Sequence, residues 1–437
     1  MPRVLPFTGL RYAAPPQALA ALVSPPYDVI SPAEQAQLRA LSPHNASYVE
    51  LPIDVDGQPR SRYRDAADRL AAWRRDGVLK ADPSPAYYLA ETQFSHAGRT
   101  LSRRDLLAAL SVEPWSSGAV LPHEHTLAGP KVDRLELLRA THLNPSPIWV
   151  LHRNRLPALD QAWRAAESLP PTLEFTWHAE RHRVWLVDAA STVAAIGDSF
   201  DRGGPLYVAD GHHRYETSLA FRAEADSTVP GAGATLAALT WAQDPGLLAL
   251  ATHRLLRHLD PALSLEEAGT RWAELFQSQS YPVSQAAPPE QVDALMQHLA
   301  SSGGAAPSFG LYGLGNLDVF VVLQVRGGKV PDGVLPAERS EAWKSLDVSL
   351  LHALLVDPLV QQAGRPRADV LSYTRDPHAA VAAVREGRAS AAFFLNPTPV
   401  SGVLRVADTA DRMPEKSTYF HPKPPAGLVM RDLDAPV

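Results

Sequence analysis

Residues 206–216 constrain this chain more than any other stretch. Leu206, Tyr207, Val208 and Ala209 form an apolar run that ends at Asp210-Gly211. A helical pattern then opens with His212-His213-Arg214-Tyr215-Glu216. A buried strand turns on a glycine into a helix. The first turn of a helix has unpaired N–H groups and the positive end of the dipole, and a glycine lets the backbone approach an anion. That is the physical recipe for a phosphate site. Arg214 adds a bidentate clamp, and His212 or His213 a further donor. Asp210 would repel phosphate, so its place is beside a divalent metal such as Mg or a reacting hydroxyl, which points to catalysis. The plainer alternative is an N-cap at Asp210, a turn at Gly211 and two surface histidines.

Composition narrows the rest. At 437 residues the chain is long enough for two to three units. Apolar residues at 45% and charged residues at 20% suit a packed core. A net charge of −6 argues against nucleic acid as partner, since phosphate neutralisation needs a basic surface. With no cysteine there is no disulfide framework, thiolate zinc site or cysteine nucleophile. The N-terminus lacks a signal-peptide run, and no apolar stretch reaches about 18 residues, so a cytoplasmic protein without membrane contact is expected. Only 6 of the 41 basic residues are lysine, so lysines carry more weight than arginines here; Lys131, Lys416 and Lys423 lie in motif-like segments.

Ser31-Pro32 with Glu34 predicts a helix running to about residue 41, and the spacing of Tyr63, Ala67, Leu70 and Trp73 a second over 61–77. Residues 86–94 and 104–112 read as an antiparallel strand pair, with a short helix as the alternative for the second. Residues 147–152, 183–188, 236–242 and 392–395 read as strands, and 135–141 and 349–355 as helices. Helices are expected over 264–276 and 289–299, and a hairpin joins 308–312 to 319–325. The chain is expected to be α+β: a first domain at 1–260, a smaller α+β domain at 261–408, and an irregular tail at 409–437.

Two further segments can carry chemistry. Leu121-Pro122-His123-Glu124-His125-Thr126 leads to Gly129-Pro130-Lys131-Val132-Asp133-Arg134. His123 and His125 can ligate a metal, while Lys131 and Arg134 can bind phosphate. In the tail, Lys416-Ser417-Thr418-Tyr419-Phe420 and Lys423 read either as an aromatic anchor or as a wall folding back near the phosphate turn, with Lys416 in contact with phosphate. His123, Lys131 and Asp210 are expected to share a pocket. Tyr27-Asp28, Thr252-His253-Arg254 and Asn396 are lesser candidates, each a polar group ending an apolar run.

Together these segments resemble a bacterial family catalogued as domain of unknown function 1015. The likeness lies in Pro25-Pro26-Tyr27-Asp28-Val29-Ile30, His123-Glu124, Gly129-Pro130-Lys131 and Ala209-Asp210-Gly211-His212-His213-Arg214-Tyr215-Glu216. It continues in Thr252-His253-Arg254, Phe394-Leu395-Asn396-Pro397-Thr398 and Lys416-Ser417-Thr418-Tyr419-Phe420. More distantly, Asp210-Gly211-His212-His213-Arg214 resembles the strand–turn–helix motif of the ParB/sulfiredoxin superfamily, and above all the Asp-Gly-His-x-Arg turn of its free-serine kinases. That likeness implies a ParB/sulfiredoxin-like N-terminal part carrying a large insertion. It implies Gly211, His212 and Arg214 on phosphate, Asp210 beside the metal or hydroxyl, and Asp28 as the counterpart of the base. The sulfiredoxin cysteine is missing, which excludes sulfinate repair.

The expected function is phosphoryl transfer on a small hydroxyl metabolite, with serine or phosphoserine leading and the direction open. Asp210, His212, His213 and Asp28 would be catalytic. Gly211, Arg214, Lys131, Arg134 and Lys416 would hold phosphate. The partner would be a phosphorylated metabolite or a nucleotide, with homo-oligomerisation left open. The alternatives are a nucleotide-binding partition-type regulator and a metal-dependent hydrolase built on His123 and His125.

Overall fold

The computed structural model describes residues 2–54, 57–126, 128–225, 228–260, 262–303 and 306–436. The chain is α+β and forms two compact units. One comprises Met1–Pro122, Thr126–Leu248 and Pro422–Val437; the other comprises His123–His125 and Ala249–His421. The change of unit at Leu248 precedes the expected boundary at 260. The expected tail is divided, with residues 409–421 in the second unit and Pro422–Val437 in the first.

The first unit is built on a nine-stranded sheet whose centre follows from apolar alternation. Leu206–Asp210 lies between Val120–Leu121, parallel to it, and Ile148–His152, antiparallel to it. Ile148–His152 runs parallel to Ala234–Trp241, which pairs antiparallel with Arg99–Ser111; Tyr87–His96, Glu180–Val187 and Leu173–Trp177 follow outward. The strand reading of 104–112 therefore holds over its helical alternative. Alternate side chains point to one face. Ile148, Val150, Leu106, Ala108, Leu206, Val208, Ala237 and Leu239 form a core with Leu159 and Trp163 of helix Pro157–Glu167 and Ile196 and Phe200 of helix Ala190–Asp201.

Trp149, one residue out of phase with that core, belongs to the opposite face, where the sheet buries a polar chain. Trp149 Nε1 donates to Thr240 Oγ1 at 2.7 Å, and Thr240 Oγ1 donates to Asp105 Oδ1. Arg103 Nε donates to Asp105 Oδ2 at 2.9 Å, and its guanidinium lies 4.3 Å from the Trp149 ring centroid. Arg103 Nη1 donates to the backbone carbonyl of Pro422. Arg103 and Asp105 are both almost fully buried, so each satisfies the other in a place where an unpaired charge is costly.

A smaller sheet binds the chain ends together in the order Leu79–Ala81, Gly9–Tyr12, Met430–Asp432, Leu143–Asn144. The C-terminal segment is thus not irregular throughout. Its backbone is also fixed by the Ser24–Ala426 bridge and by Gly427 N–H donating to Pro145 O at 2.9 Å. The capped helix read from Ser31-Pro32 is Pro32–Leu41, with Ser31 Oγ accepting from Glu34 N at 3.2 Å.

In the second unit a six-stranded sheet runs Phe276–Pro282, Asn316–Val325, Ser308–Gly313, Ala391–Phe394, His253–Leu256, Leu371–Thr374. Helices Pro289–Ser302 and Pro377–Arg385 cover it through Val292, Leu295, Leu299, Ala380, Val381 and Val384. The expected hairpin is present. The helix expected to reach residue 276 ends at Trp272, and Phe276 starts a strand instead. Trp272 and Phe276 have helical spacing, but Phe276 packs on Phe309 with ring centroids 5.9 Å apart, and the polar run after it pairs with Asn316–Val325. Tertiary pairing overrides the local pattern there. No helix among the described residues is long and apolar enough to cross a membrane.

Candidate functional site

The strand Leu206–Asp210 and the helix His212–Ala225 meet at Gly211, as the sequence pattern requires. Gly211 has φ +91°, a backbone region that side chains disfavour. A Cβ there would lie 3.0 Å from Ile148 Cγ2 and 3.1 Å from the Arg214 guanidinium. The glycine therefore serves both the turn and the close approach of Arg214. Gly211→Ala is expected to cost about 1–3 kcal/mol of stability through backbone strain and to displace Arg214, read by chemical denaturation and by loss of anion affinity.

Arg214 folds back onto the turn. Its Nη2 donates to Asp210 Oδ2 at 2.7 Å, and its Nη1 donates to Ser146 Oγ at 3.0 Å and to the Pro147 carbonyl. Its Nε is buried with no hydrogen-bond partner among the described residues. Ser146 Oγ donates to Glu50 Oε1 at 2.9 Å, and the same oxygen accepts from Tyr27 N at 3.0 Å. Tyr27 and Asp28 lie on the short turn Tyr27–Val29 that Pro25-Pro26 introduces.

Opposite the arginine stands Lys423. Its Nζ is 2.6 Å from Asp210 Oδ1 and also contacts Asp28 Oδ2, and its side chain is only 7% exposed. Asp28, Lys423, Asp210 and Arg214 thus form a continuous alternation of charge drawn from three distant parts of the chain. Burial alone would push the Asp210 carboxyl up, but the charges of Lys423 and Arg214 hold it down at about 2. Burial alone would lower the Lys423 ammonium, and Asp210 and Asp28 raise it well above the ordinary lysine range. A carboxylate depressed in the fold contributes stability that is present above its unfolded value near 4 and lost as pH falls toward 2. Denaturation between pH 2 and 6 should therefore show the stability gap between wild type and Asp210→Asn closing as the pH falls across that window.

Beneath Arg214 lies a cavity of about 50 Å³, lined among others by Tyr27, Glu50, Arg134, Ser146 and Thr217. Thr217 Oγ1 is buried and also has no hydrogen-bond partner among the described residues. Burial pushes the Tyr27 hydroxyl up to about 12, despite the nearby arginines, so it stays protonated at neutral pH.

The other residues singled out in sequence go elsewhere. Arg134 is buried, pairs with Asp133, donates to the Glu50 carbonyl, and lies 4.4 Å from the Tyr27 ring centroid. It holds the site's wall. Lys131 Nζ pairs with Glu216 Oε2 at 2.9 Å, where Thr126 Oγ1 and Trp115 Nε1 also donate to that carboxylate. Burial raises the Glu216 carboxyl, and these three donors bring it below the usual range. His212 is buried at the start of the helix, while His213 is half-buried on the same helix.

His123, His125 and Lys416 belong to the second unit. His123 Nε2 lies 3.1 Å from Thr418 Oγ1, and Glu124 Oε1 accepts from Lys416 N at 3.3 Å. His125 is exposed, and no group of three or more His, Asp or Glu among the described residues is placed to hold a metal. Arg254, fully buried, donates through Nη2 to the carbonyls of Glu415 and Lys416, both at 3.2 Å, and Thr398 Oγ1 donates to Ser417 O at 3.0 Å. Burial lowers the Arg254 guanidinium to about 10. The Thr252-His253-Arg254 and Asn396-Pro397-Thr398 segments therefore secure the Glu415–Ser417 backbone, in which Lys416 adopts φ +54°.

Glu50, Ser146 and Lys423 complete the first unit's site. Lys423 was visible in sequence as one of few lysines; Glu50 and Ser146 carried no signal beyond polarity. As to the metal implied beside Asp210, its Oδ1 faces the Lys423 ammonium, which also contacts Asp28, the residue read as the base.

Comparison with curated proteins gives no match. Among solved structures, the chain is similar to a free serine kinase in complex with AMP at 12% identity and TM-score 0.33, covering 72% of this chain and 86% of that one. It is similar to a conserved hypothetical protein from Pyrococcus furiosus at 12% identity and TM-score 0.32, covering 72% and 90%. It is also similar to C-terminally truncated SbnI from Staphylococcus aureus at 9% identity and TM-score 0.33, covering 74% and 81%. The family model for the proteins of unknown function designated DUF1015 matches residues 4–349, and the chain belongs to that family.

Proposed function

We propose that the first unit carries a phosphoryl-transfer site for a small hydroxyl metabolite, with serine or phosphoserine as the leading substrate. The observation that carries this reading is the Asp28–Lys423–Asp210–Arg214 array set at a strand–glycine–helix turn. The likeness of Asp210-Gly211-His212-His213-Arg214 to the turn of free-serine kinases supports it.

Phosphoryl transfer needs positioning, fixed charge and one base more than covalent chemistry. The opening amides of helix His212–Ala225 supply the positive end for the phosphoryl oxygens. Asp28, with its side chain 31% exposed, is the carboxylate open to a substrate. It takes the proton as the hydroxyl oxygen forms its bond to phosphorus, while the bond to the leaving oxygen breaks and that oxygen keeps the electron pair. Asp210, ionised throughout the working range, aims Lys423 and Arg214. His212 and His213, beside the turn, serve as further proton carriers or donors to the phosphoryl group. The donor is a nucleotide in the kinase direction and phosphoserine itself, with water as acceptor, in the phosphatase direction.

The test is a product assay on the full chain with serine plus ATP or ADP, and separately with O-phosphoserine alone. Formation of phosphoserine in the first or of inorganic phosphate in the second, lost in Asp28→Asn, supports the reading. Nucleotide binding without turnover in either arm would replace it with the regulator.

A further inference from the structure

We propose that Lys423 is the built-in cation of this site. Its ammonium holds the place between Asp28 and Asp210 that a divalent ion takes between paired carboxylates. The inference rests on the phosphoryl-transfer reading for its chemistry, but the contact itself stands on geometry alone.

Lys423 Nζ contacts Asp28 Oδ2 and lies 2.6 Å from Asp210 Oδ1, so a single cation already bridges both carboxylates. A magnesium ion needs oxygens at about 2.0–2.1 Å in near-octahedral array and keeps several waters. With the ammonium bridging the same two oxygens, an added ion meets a like charge at contact distance.

A lysine can leave a site by rotating its long stem into water, but this one is 7% exposed, and its backbone is held on both sides. Before it, the Pro422 carbonyl accepts from Arg103, which Asp105, Thr240 and Trp149 lock in the buried face of the sheet. After it, Pro424-Pro425 and the Ser24–Ala426 bridge restrict the chain. This is an expensive way to place one ammonium, and surface neutralisation does not require it.

Asp28 and Asp210 meet Lys423 and Arg214 in direct ion pairs, two carboxylates against two cations, so these four groups pair among themselves, with the Glu50 carboxylate acting on Arg214 from beyond Ser146. Lys423 then acts as a built-in monocation that keeps two carboxylates close and holds the Asp210 carboxyl ionised. A metal brought by a nucleotide would ride on the nucleotide's own phosphates.

The experiment is Mn²⁺ binding, followed by electron paramagnetic resonance and calorimetry, with no substrate present. Four full-length proteins are compared: wild type, Asp28→Asn/Asp210→Asn, Lys423→Met, and Lys423→Met/Asp28→Asn/Asp210→Asn. The expected result is no wild-type Mn²⁺ site that depends on Asp28 and Asp210. Lys423→Met should bind Mn²⁺ at least tenfold more tightly than wild type, with that gain lost in the triple variant. Wild-type binding abolished by Asp28→Asn/Asp210→Asn would overturn the proposal. So would a folded Lys423→Met that gains no affinity. If Lys423→Met does not fold, the comparison of wild type with the double variant decides. These arms read metal and not turnover, so they stand apart from failure of the serine and phosphoserine assays.

Discussion

Asp28→Asn is expected to lower turnover by about a hundredfold to ten-thousandfold, the range a positioned general base contributes, with little change in thermal midpoint. The amide keeps the shape of the carboxylate and can still accept from Lys423, so the fold has small cause to suffer. What it loses is a group able to take the hydroxyl proton. Asp28 is the more exposed of the two carboxylates on Lys423, 31% against 20% for Asp210, and only Asp210 also pairs with Arg214. The base role falls to the carboxylate with less competition. A steady-state assay with the pH varied from 5 to 9 checks this. Loss of kcat at every pH in Asp28→Asn fits the base role, whereas a rise in KM alone would reassign Asp28 to binding.

Arg103→Leu should produce the largest stability change. The guanidinium is fully buried between Asp105, the Trp149 ring and the Pro422 carbonyl. Removing it strands the Asp105 carboxylate in the sheet's interior, and breaking such a buried pair costs about 3–5 kcal/mol. Two consequences separate this from a generic core defect. Arg103→Leu/Asp105→Leu should recover much of the stability, because the orphaned charge is gone. Activity should not recover with it, because the Pro422 carbonyl has lost its donor and Lys423 its fixed approach. Urea denaturation and turnover measured on the same two variants check both. Joint recovery of stability and activity would make Arg103 a purely structural residue.

The sequence was most legible where local chemistry decides. Ser31 and Glu34 mark a helix start because a hydroxyl and a backbone N–H three residues on must meet. Gly211 marks a strand-to-helix turn because φ +91° suits little else. The charged array was legible only in part. Asp28 and Lys423 are 395 residues apart, and no periodicity links them. Lys423 is placed between two long-range contacts, Arg103 with the Pro422 carbonyl and the Ser24–Ala426 bridge, neither of which has a local signature. Arg103 sits in a strand beside Arg104, and the alternation that sends one inside and the other out does not reveal that the inner face is polar. The strand Phe276–Pro282 escaped because FQSQSYP lacks the apolar alternation that marks a half-buried strand. The density of histidines at 123–125 suggested ligands; in the fold His123 is buried, with Nε2 3.1 Å from Thr418 Oγ1 and its ring centroid 6.5 Å from that of Phe420.

A turn at Gly211 that handles a phosphoryl group, with Arg214 and Lys423 beside it, should bind a phosphate ester by itself. The measurement is calorimetric titration of the wild-type protein and of Gly211→Ala with O-phosphoserine, in metal-free buffer. Binding by the wild type, weakened tenfold or more in a folded Gly211→Ala, is the predicted result. Equal affinity in the two proteins, or no binding by a wild type that also fails to bind AMP or ADP, would contradict it.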